Sequence, residues 1–241
     1  MDKQSLRERI WDELEASGEA RFPFPPHDRI PNFAGADAAA ERLASTPEWK
    51  AASVCKSNPD APQLPVRRRA LRAGKTVYMA VPRLRDERCF LELDPARIDD
   101  DDLDAAATLS HVDEHARRVG PDALPTVDLV VSGSVAVTTE GARVGKGEGY
   151  SDLEYAVLRE LGAVDADTPV ATTVHERQVV DDDVPVAAHD VPMDLLVTPE
   201  RVVRPDVVAA RPAGIDWELL DGERIEEIPV LARLREAQRE G

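Results

Sequence analysis

The sequence is short of cysteine, of aromatic residues and of long apolar stretches, and each shortage excludes a class of protein. The two cysteines, Cys55 and Cys89, are too few for a disulfide framework and lack the spacing of a metal site. Aromatic side chains form only 4% of the chain, so a wall of stacked rings is not obvious. No apolar run reaches the roughly 18 residues of a membrane-spanning helix, and no signal peptide is recognisable. We therefore expect a soluble, cytoplasmic protein without a membrane partner.

Lysine is also scarce, and acidic residues are in large excess. Asp and Glu number 47 against 30 Lys and Arg, which gives a net charge of −17. The lysines are confined to positions 3, 50, 56, 75 and 146. An acid-rich, lysine-poor surface is typical of a protein that stays hydrated in concentrated salt, so we predict a haloarchaeal source over an ordinary acidic protein. The same charge disfavours nucleic acid as a partner, although multimolar salt would screen that repulsion.

The order of the predicted elements indicates an α/β fold. At 241 residues the chain can form one domain with a full core and some room for appendages. Hydrophobic spacing predicts strands over residues 76–81, 127–138, 170–180 and 195–203, and helices over residues 3–18, 36–49, 65–73, 105–119, 150–161 and 225–239. This alternation favours a mostly parallel sheet with helices on both faces. Ligands of such folds bind beyond the carboxyl ends of the strands.

Three alternating glycines form the most informative motif of the sequence. Residues 143–155 read R-V-G-K-G-E-G-Y-S-D-L-E-Y, after a β-prone run and before the helix that begins near Tyr150. Glycine lets backbone N–H groups approach an anion closely, and a helix N-terminus adds free donors and a favourable dipole. The spacing fits neither a Walker loop nor a dinucleotide fingerprint. The run therefore predicts a phosphate cradle, with a flexible turn as the alternative.

Charged residues near this run are candidates for ligand binding. Arg143 and Lys146 bring positive charge to the loop. Asp152 behind it could hold Mg²⁺, which prefers one or two carboxylates plus phosphate oxygens, or it could simply complement the helix dipole. Lys3 and Arg7 are four residues apart and share one face of the first predicted helix. Taken alone, they are typical of a solvated surface pair.

The glycine run resembles the R-x-G-x-G-x-G-Y-[YFS]-D signature of the 5-formyltetrahydrofolate cyclo-ligase (methenyltetrahydrofolate synthetase) family. Three further segments resemble the family in the same order: K-Q-S-L-R at 3–7, T-V-D-L-V-V followed by Gly133, and the stretch from His175 to Asp194. The runs G-K-G-E-G-Y-S-D-L-E-Y and H-D-R-I-P-N-F are most similar to the branch called methenyltetrahydrofolate synthetase domain-containing proteins. The likeness covers roughly residues 1–203.

This resemblance implies a fold shared with ribose-phosphate isomerases and CoA transferases, with a domain over residues 1–204 and an extension over 205–241. It implies an ATP- and Mg²⁺-dependent ligase of one-carbon metabolism that converts 5-formyltetrahydrofolate, or a related pterin, to the 5,10-methenyl form. Of the matching residues, Arg143 and Lys146 are expected to be catalytic, and Asp152 and Asp190 to bind Mg²⁺. The residues that it assigns to ATP are Lys3, Arg7, Arg143, Gly145, Lys146, Gly147, Gly149, Tyr150 and Asp152.

The segments that should contact the folate depart from the family pattern. Family members carry a pocket glutamate in a G-E-x-x-T context, whereas residues 52–63 here read A-S-V-C-K-S-N-P-D-A-P-Q. Asp60 or Gln63 would have to replace that glutamate. The P-G-x-A-F segment is altered to S-G-S-V-A at 132–136. We therefore keep a second interpretation, a family member without ligase activity that serves as a nucleotide-binding or regulatory protein.

Other interpretations receive less support. Sugar-phosphate isomerisation on the same fold is the remaining catalytic alternative. RNA binding finds no RNP-type aromatic run in the sequence. We expect a monomer or a homodimer, with Glu154 on a helix surface and Tyr155 in the core.

Overall fold

The computed structural model describes residues 1–206 and 209–240. Its helices are α1 (Lys3–Ala16), α2 (Ala36–Ala44), α3 (Pro47–Ala51), α4 (Leu64–Arg72), α5 (Leu103–Ala106), α6 (Val112–His115), α7 (Tyr150–Glu160), α8 (Gly222–Glu227) and α9 (Pro229–Glu240). Its strands are β1 (Ala20–Arg21), β2 (Asn32–Phe33), β3 (Val54–Ser57), β4 (Thr76–Ala80), β5 (Phe90–Leu93), β6 (Arg117–Val119), β7 (Leu129–Val131), β8 (Ala136–Thr138), β9 (Arg143–Val144), β10 (Val170–Thr173), β11 (Val179–Val180), β12 (Leu195–Val197) and β13 (Val202–Val203). In this described part of the chain, no helix combines the length and apolar character needed to cross a membrane.

An eight-stranded sheet forms the centre of the fold, in the order β13-β12-β10-β7-β3-β4-β5-β6. The five strands from β12 to β4 run parallel to one another. Antiparallel strands complete the sheet, β13 at one edge and β5 with β6 at the other. The central strand Leu129–Val131 is buried throughout, as expected for a parallel sheet covered on both faces. The predicted α/β fold with a mostly parallel sheet is confirmed.

A separate three-stranded sheet, in the order β11-β8-β9, leads into the glycine loop. Helix α1 packs on this sheet, and its Leu6 and Leu14 share a buried cluster with Val144 of β9. The apolar residues of α1 recur every three or four positions, which is the pattern of a helix with one buried face. Because Lys3 and Arg7 lie on the same helix, this packing brings them to the end of β9, where the loop begins.

Several predicted strands are interrupted in the structure. The predicted strand 127–138 is β7 in the central sheet and β8 in the small one, and 170–180 is likewise β10 and β11. A turn capped by the His175 side chain separates the second pair. The predicted strand 195–203 is the antiparallel hairpin of β12 and β13. The single-strand predictions are wrong because β-propensity reports a pleated, buried environment and not which neighbour a strand pairs with.

Two predicted helices are also interrupted. Residues 105–119 contain the end of α5, the short α6 and strand β6, so the predicted helix there is wrong. Thr108 Oγ1 donates to the carbonyl three residues earlier at 2.7 Å, a local bond that competes with a continuous helix. The predicted helix 36–49 is divided into α2 and α3 because Thr46 caps the second helix, whose first residue is Pro47. Strands β3 and β5 were not predicted.

The C-terminal extension packs against the same core as the rest of the chain. Ile215, Ile228 and Leu231 are buried in the cluster that contains the central strands and α7. The predicted helix 225–239 is α8 followed by α9, since Pro229 begins a new helix. The proposed boundary between a domain ending at 204 and an extension stays a prediction.

Candidate functional site

A cavity of about 500 Å³, here called the inner cavity, lies where the glycine loop (145–149) meets α1 and the segment before β12. The structure brings every predicted site residue into its lining: Lys3, Arg7, Arg143, Gly145, Lys146, Gly147, Gly149, Tyr150, Asp152 and Asp190. Lys3 and Asp190, although 187 positions apart in sequence, are in contact. Only the fold brings these residues together, while the role of each stays a prediction.

The glycine loop has a backbone that other residues would strain. Gly147 has φ 108° and Gly149 has φ 71°, both in the left-handed region that favours glycine. A Cβ atom on Gly145 would lie 2.9 Å from Arg143 Nη1, and one on Gly147 would lie 3.4 Å from Arg7 Cζ. The glycines therefore allow two guanidinium groups to approach the loop. Since α7 begins directly after Gly149, its first N–H groups also face this end of the loop.

Five basic side chains line the inner cavity: Lys3, Arg7, Arg83, Arg143 and Lys146. Arg7 Nε donates to the carbonyl oxygen of Gly145 at 2.6 Å. Lys3 pairs with Asp190 at 2.5 Å, and Lys146 pairs with Glu148 at 2.7 Å. Burial, and then the neighbouring charge of Arg143, lowers the pKa of Arg7. Five carboxylates line the same cavity, so a bound phosphate group would compete with them for the basic side chains: Asp60, Glu148, Asp152, Glu154 and Asp190.

The two predicted magnesium ligands line the same cavity, and each is already paired. Asp152 Oδ2 contacts Arg143 Nη2 at 2.5 Å, and its Oδ1 accepts from the backbone N–H of Val191 at 3.1 Å. Asp190 Oδ2 accepts from Lys3 and from the N–H of Ala187, at 2.5 and 2.7 Å. Asp152 thus bonds to the residue that follows Asp190, so the two segments meet, while the binding of Mg²⁺ there stays a prediction.

Asp152 and Asp190 are not arranged to bind Mg²⁺ in the absence of a nucleotide. Both are neutralised by a basic partner, and a cation between them would have to displace Arg143 and Lys3. Within residues 1–206 and 209–240, no group of three or more His, Cys, Asp or Glu side chains is placed to hold a metal ion. Mg²⁺ can, however, bind through one or two carboxylates and the phosphate oxygens of a nucleotide.

Asp60 lines the inner cavity. It is one of the two residues considered as a replacement for the family's glutamate. Burial raises the pKa of Asp60 above its ordinary value of 3.8. Gln63, the other candidate, is fully buried, and its Nε2 donates to Thr173 Oγ1 at 3.3 Å. A Cβ atom on Gly133 would lie 3.1 Å from Asp60 Oδ2 and 3.0 Å from Gln63 Oε1. The two polar side chains therefore face the same glycine, and Asp60 is the one that lines the cavity.

A buried ion pair behind the loop was not predicted. Glu154, expected on a helix surface, is only 5% exposed and pairs with Lys56 of β3, which is 1% exposed. Lys56 Nζ also donates to Asn58 Oδ1 at 3.2 Å, and both Asn58 and Glu154 line the inner cavity. The only sequence signal is a lysine that follows Val54 and Cys55 directly. Tyr155, expected in the core, is 2% exposed, and that prediction is confirmed.

Comparison with known proteins places the chain among folate-related proteins. The model of the 5-formyltetrahydrofolate cyclo-ligase family matches residues 1–199. A methenyltetrahydrofolate synthase domain-containing protein of Mus musculus is 44% identical over 241 residues, which cover 100% of this chain and 65% of the mouse protein. Its counterpart in Bos taurus is 44% identical over 238 residues, covering 98% of this chain and 62% of that protein. The chain thus spans less than two thirds of the length of these relatives.

A solved structure supports the fold. The NMR structure of 5,10-methenyltetrahydrofolate synthetase from Aquifex aeolicus superposes with a TM-score of 0.54 at 20% identity, covering 90% of this chain and 99% of that one. At this identity the likeness shows the fold alone. These relatives are animal and bacterial, and they give no support to a haloarchaeal source, which stays a prediction.

Proposed function

The chain belongs to the 5-formyltetrahydrofolate cyclo-ligase family, and we propose that it catalyses the ATP-dependent closure of 5-formyltetrahydrofolate, or of a related pterin, to the 5,10-methenyl form. The observation that carries the proposal is the inner cavity, whose lining unites the glycine loop, five basic side chains and the start of α7. Backbone N–H groups at a helix N-terminus and fixed cations are the groups that bind a triphosphate in proteins.

The proposed reaction has two steps. The formyl oxygen first attacks the γ-phosphorus of ATP, the bond to the β,γ-bridging oxygen breaks, and ADP leaves. The N10 amine then attacks the activated formyl carbon, phosphate departs with the former formyl oxygen, and N10 loses its proton. Phosphoryl transfer of this kind depends chiefly on positioning and charge neutralisation. In this site Arg143 and Lys146 would neutralise the transferred phosphoryl group, while the loop amides orient it.

The pterin would occupy the deeper part of the inner cavity. Ile30 and Val81 supply apolar lining there, and Asp60 supplies a polar group beside Gly133. We propose that Asp60 replaces the pocket glutamate of other family members. Its pKa is raised by burial, as is common for a carboxyl group in a ligand site.

Magnesium enters this proposal with the nucleotide. In the phosphate-bound state, Asp152 or Asp190 would exchange its basic partner for the ion, which would neutralise charge on the phosphates. Asp152→Asn tests this exchange. An ion ligand at Asp152 should make the variant require more Mg²⁺ for half-maximal ATP binding. A uniform loss of ATP affinity at every Mg²⁺ concentration would show instead that Asp152 acts by holding Arg143.

A spectroscopic assay tests the proposed function. Purified protein is mixed with ATP, Mg²⁺ and 5-formyltetrahydrofolate in concentrated KCl, and the absorbance of the methenyl product is followed. We expect product that depends on ATP, that is lost in Lys146→Ala and that is retained in Lys50→Ala, a change of an exposed lysine on α3. Absence of product from a protein that binds ATP would favour the second candidate, a nucleotide-binding or regulatory protein. We retain this second candidate because residues 52–63 and 132–136, which should contact the folate, depart from the family pattern.

Partners and location follow from the same proposal. A folate or pterin is the proposed small-molecule partner, and a monomer or homodimer in the cytoplasm is the proposed state. Nucleic acid is not a proposed partner, because the net charge of −17 repels a polyanion.

A further inference from the structure

A second and larger cavity lies beside the inner one. This outer cavity has a volume of about 1110 Å³ and is formed between α7 and the C-terminal extension. Leu153, Ala156 and Glu160 line it from α7, and Trp217, Arg224 and Arg235 line it from the extension. The family model ends at residue 199, so one wall of the outer cavity is built from residues beyond the family match.

The glycine loop separates the two cavities and borders both. Gly147, Glu148, Gly149, Asp152 and His189 line the inner and the outer cavity alike. A ligand whose phosphates lie along this loop can therefore extend into either space. Two large substrates could therefore bind one in each cavity, and their reacting groups could meet at the glycine loop.

The extension is firmly anchored where it forms the outer cavity. Arg211 Nη1 donates to the carbonyl oxygens of Ala166 and Thr168, at 2.7 and 2.9 Å. The backbone N–H of Ile215 donates to Glu160 Oε2 at 3.1 Å. Ile215 is itself buried in the main core. These contacts attach the segment that precedes Trp217 to α7 and to the loop that follows this helix.

Arg224 joins the extension to the glycine loop. Its Nη2 donates to the carbonyl oxygen of Glu148 at 2.8 Å, and its guanidinium lies 4.7 Å from the centre of the Tyr150 ring. From the other side, Lys146 pairs with the Glu148 side chain at 2.7 Å. The loop is therefore held from the inner cavity by Lys146 and from the outer cavity by Arg224.

The side chains of the outer cavity suit a nucleoside. Trp217 and Arg235 stack with 5.1 Å between the guanidinium and the ring centre, and nucleobases stack on both kinds of planar group. Asp216 and Glu218 are exposed acceptors on the same rim, able to accept from ribose hydroxyl groups or an exocyclic amine. The volume exceeds that of most drug-sized ligand sites, so a nucleoside has sufficient room.

We propose that the C-terminal extension builds the nucleoside-binding half of the ATP site, with the base stacked at Trp217 and Arg235. This inference rests on the proposed function for the position of the triphosphate on the loop. The inner cavity, with Asp60 and Ile30 on its floor, then remains for the pterin. The γ-phosphate lies at the boundary, where both substrates can reach it.

Binding measurements on Trp217 variants test this inference. ATP and inorganic tripolyphosphate share the triphosphate, and only ATP carries the nucleoside. Titration calorimetry should show that Trp217→Ala weakens ATP binding by about tenfold, since a stacked base contributes roughly 1–3 kcal/mol. Tripolyphosphate affinity should be unchanged, and Trp217→Phe should retain most of the ATP affinity. An equal loss for both ligands, no loss for ATP, or a loss of 5-formyltetrahydrofolate affinity instead would overturn the inference.

The unmodified protein provides a second readout that needs no variant to fold. The other tryptophans, Trp11 and Trp49, are buried, whereas Trp217 is partly exposed to the outer cavity. ATP should therefore quench tryptophan fluorescence, and tripolyphosphate should not. Equal responses to both ligands would contradict base stacking at Trp217. ATP binding with quenching but without methenyl product would overturn the proposed ligase function and leave the nucleoside site standing, whereas failure to bind ATP would overturn both.

Discussion

At the scale of single residues, Arg143 serves both the fold and the candidate site. Its Nη1 donates to the carbonyl oxygen of Gly133 at 3.0 Å, its Nη2 contacts Asp152, and its side chain is nearly buried. Removing it would leave Asp152 without its buried partner, so the loss of binding could not be separated from a loss of stability. The more exposed cations are therefore better probes of ligand binding.

Three such cations carry a prediction about ATP affinity. Lys3→Ala, Arg7→Ala and Lys146→Ala should each weaken ATP binding at least about tenfold, because a charge-assisted hydrogen bond to phosphate contributes roughly 1.5–3 kcal/mol. Titration calorimetry measures the affinities, and thermal unfolding checks that the variants remain folded. Lys50→Ala, which removes an exposed lysine of α3, is the matched control and should bind ATP normally. Normal ATP affinity in all three variants would assign these residues to the solvated surface.

Asp60 carries a prediction about pH. Because its folded pKa lies above the ordinary 3.8, the folded state is favoured while Asp60 is protonated and loses stability as the pH rises through the folded pKa. Asp60→Asn removes this loss. The variant should therefore gain in Tm relative to the parent protein as the pH is raised from about 4 to about 8. Asp100→Asn, which changes an exposed residue at the start of a short 3₁₀ helix, is the control. A constant difference in Tm between Asp60→Asn and the parent protein across the pH range would contradict the assignment.

The site residues that could be predicted from the sequence are those that local spacing places together. The glycines and the helix that follows them are encoded within thirteen consecutive residues, and Lys3 with Arg7 share a helix face because they are four apart. The family resemblance then placed all of them in one site. The half-buried position of Asp60 and the burial of Glu154 were not predictable in this way, because they depend on segments that lie far away along the chain.

At the scale of elements, the same distinction separates correct from wrong predictions. Helices α1, α4 and α7 have one apolar face and clear ends, and the sequence located them to within about two residues. Strand β8 could not be told from β7, since both are apolar runs in one β-prone segment and only their pairing partners differ. The division matters for the site, because β8 and β9 form the hairpin that presents the glycine loop.

The contact between β3 and α7 supports a prediction about stability. Lys56 and Glu154 are buried partners, so Glu154→Gln or Lys56→Met alone should destabilise the protein by about 3–5 kcal/mol by leaving one charge unpaired. The double variant Lys56→Met/Glu154→Met should recover most of that loss, because it removes both charges. Urea unfolding measures these differences.

An exposed ion pair provides the control for this measurement. Arg72 and Asp104 pair with side chains 59% and 42% exposed, and Asp104→Asn should cost no more than about 1 kcal/mol. Single variants of Lys56 and Glu154 that cost no more than this control would show that water reaches the buried pair.

At the scale of the whole molecule, the chain is strongly acidic, whereas the lining of the inner cavity is balanced in charge. Acidic residues exceed basic ones by 17 in the whole chain, while the inner cavity is lined by five basic side chains and five carboxylates. An anionic ligand would approach a surface that repels it and would then have to bind through specific hydrogen bonds to the basic side chains and the loop amides. Salt should therefore have two opposing effects on the affinity for an anionic ligand. It weakens the repulsion by the surface, which raises the affinity, and it weakens the contacts with the basic side chains, which lowers it.

The last prediction concerns stability in salt. Raising KCl from about 0.1 M to about 1 M shortens the screening length from about 10 Å to about 3 Å, so repulsion among the excess carboxylates should fall and Tm should rise. An uncharged osmolyte at equal osmolality is the control, because it changes water activity without screening. A constant or falling Tm over this range would contradict net repulsion. A further rise above about 1 M, where screening is nearly complete, would require hydration by salt and would support the haloarchaeal source that the composition predicted.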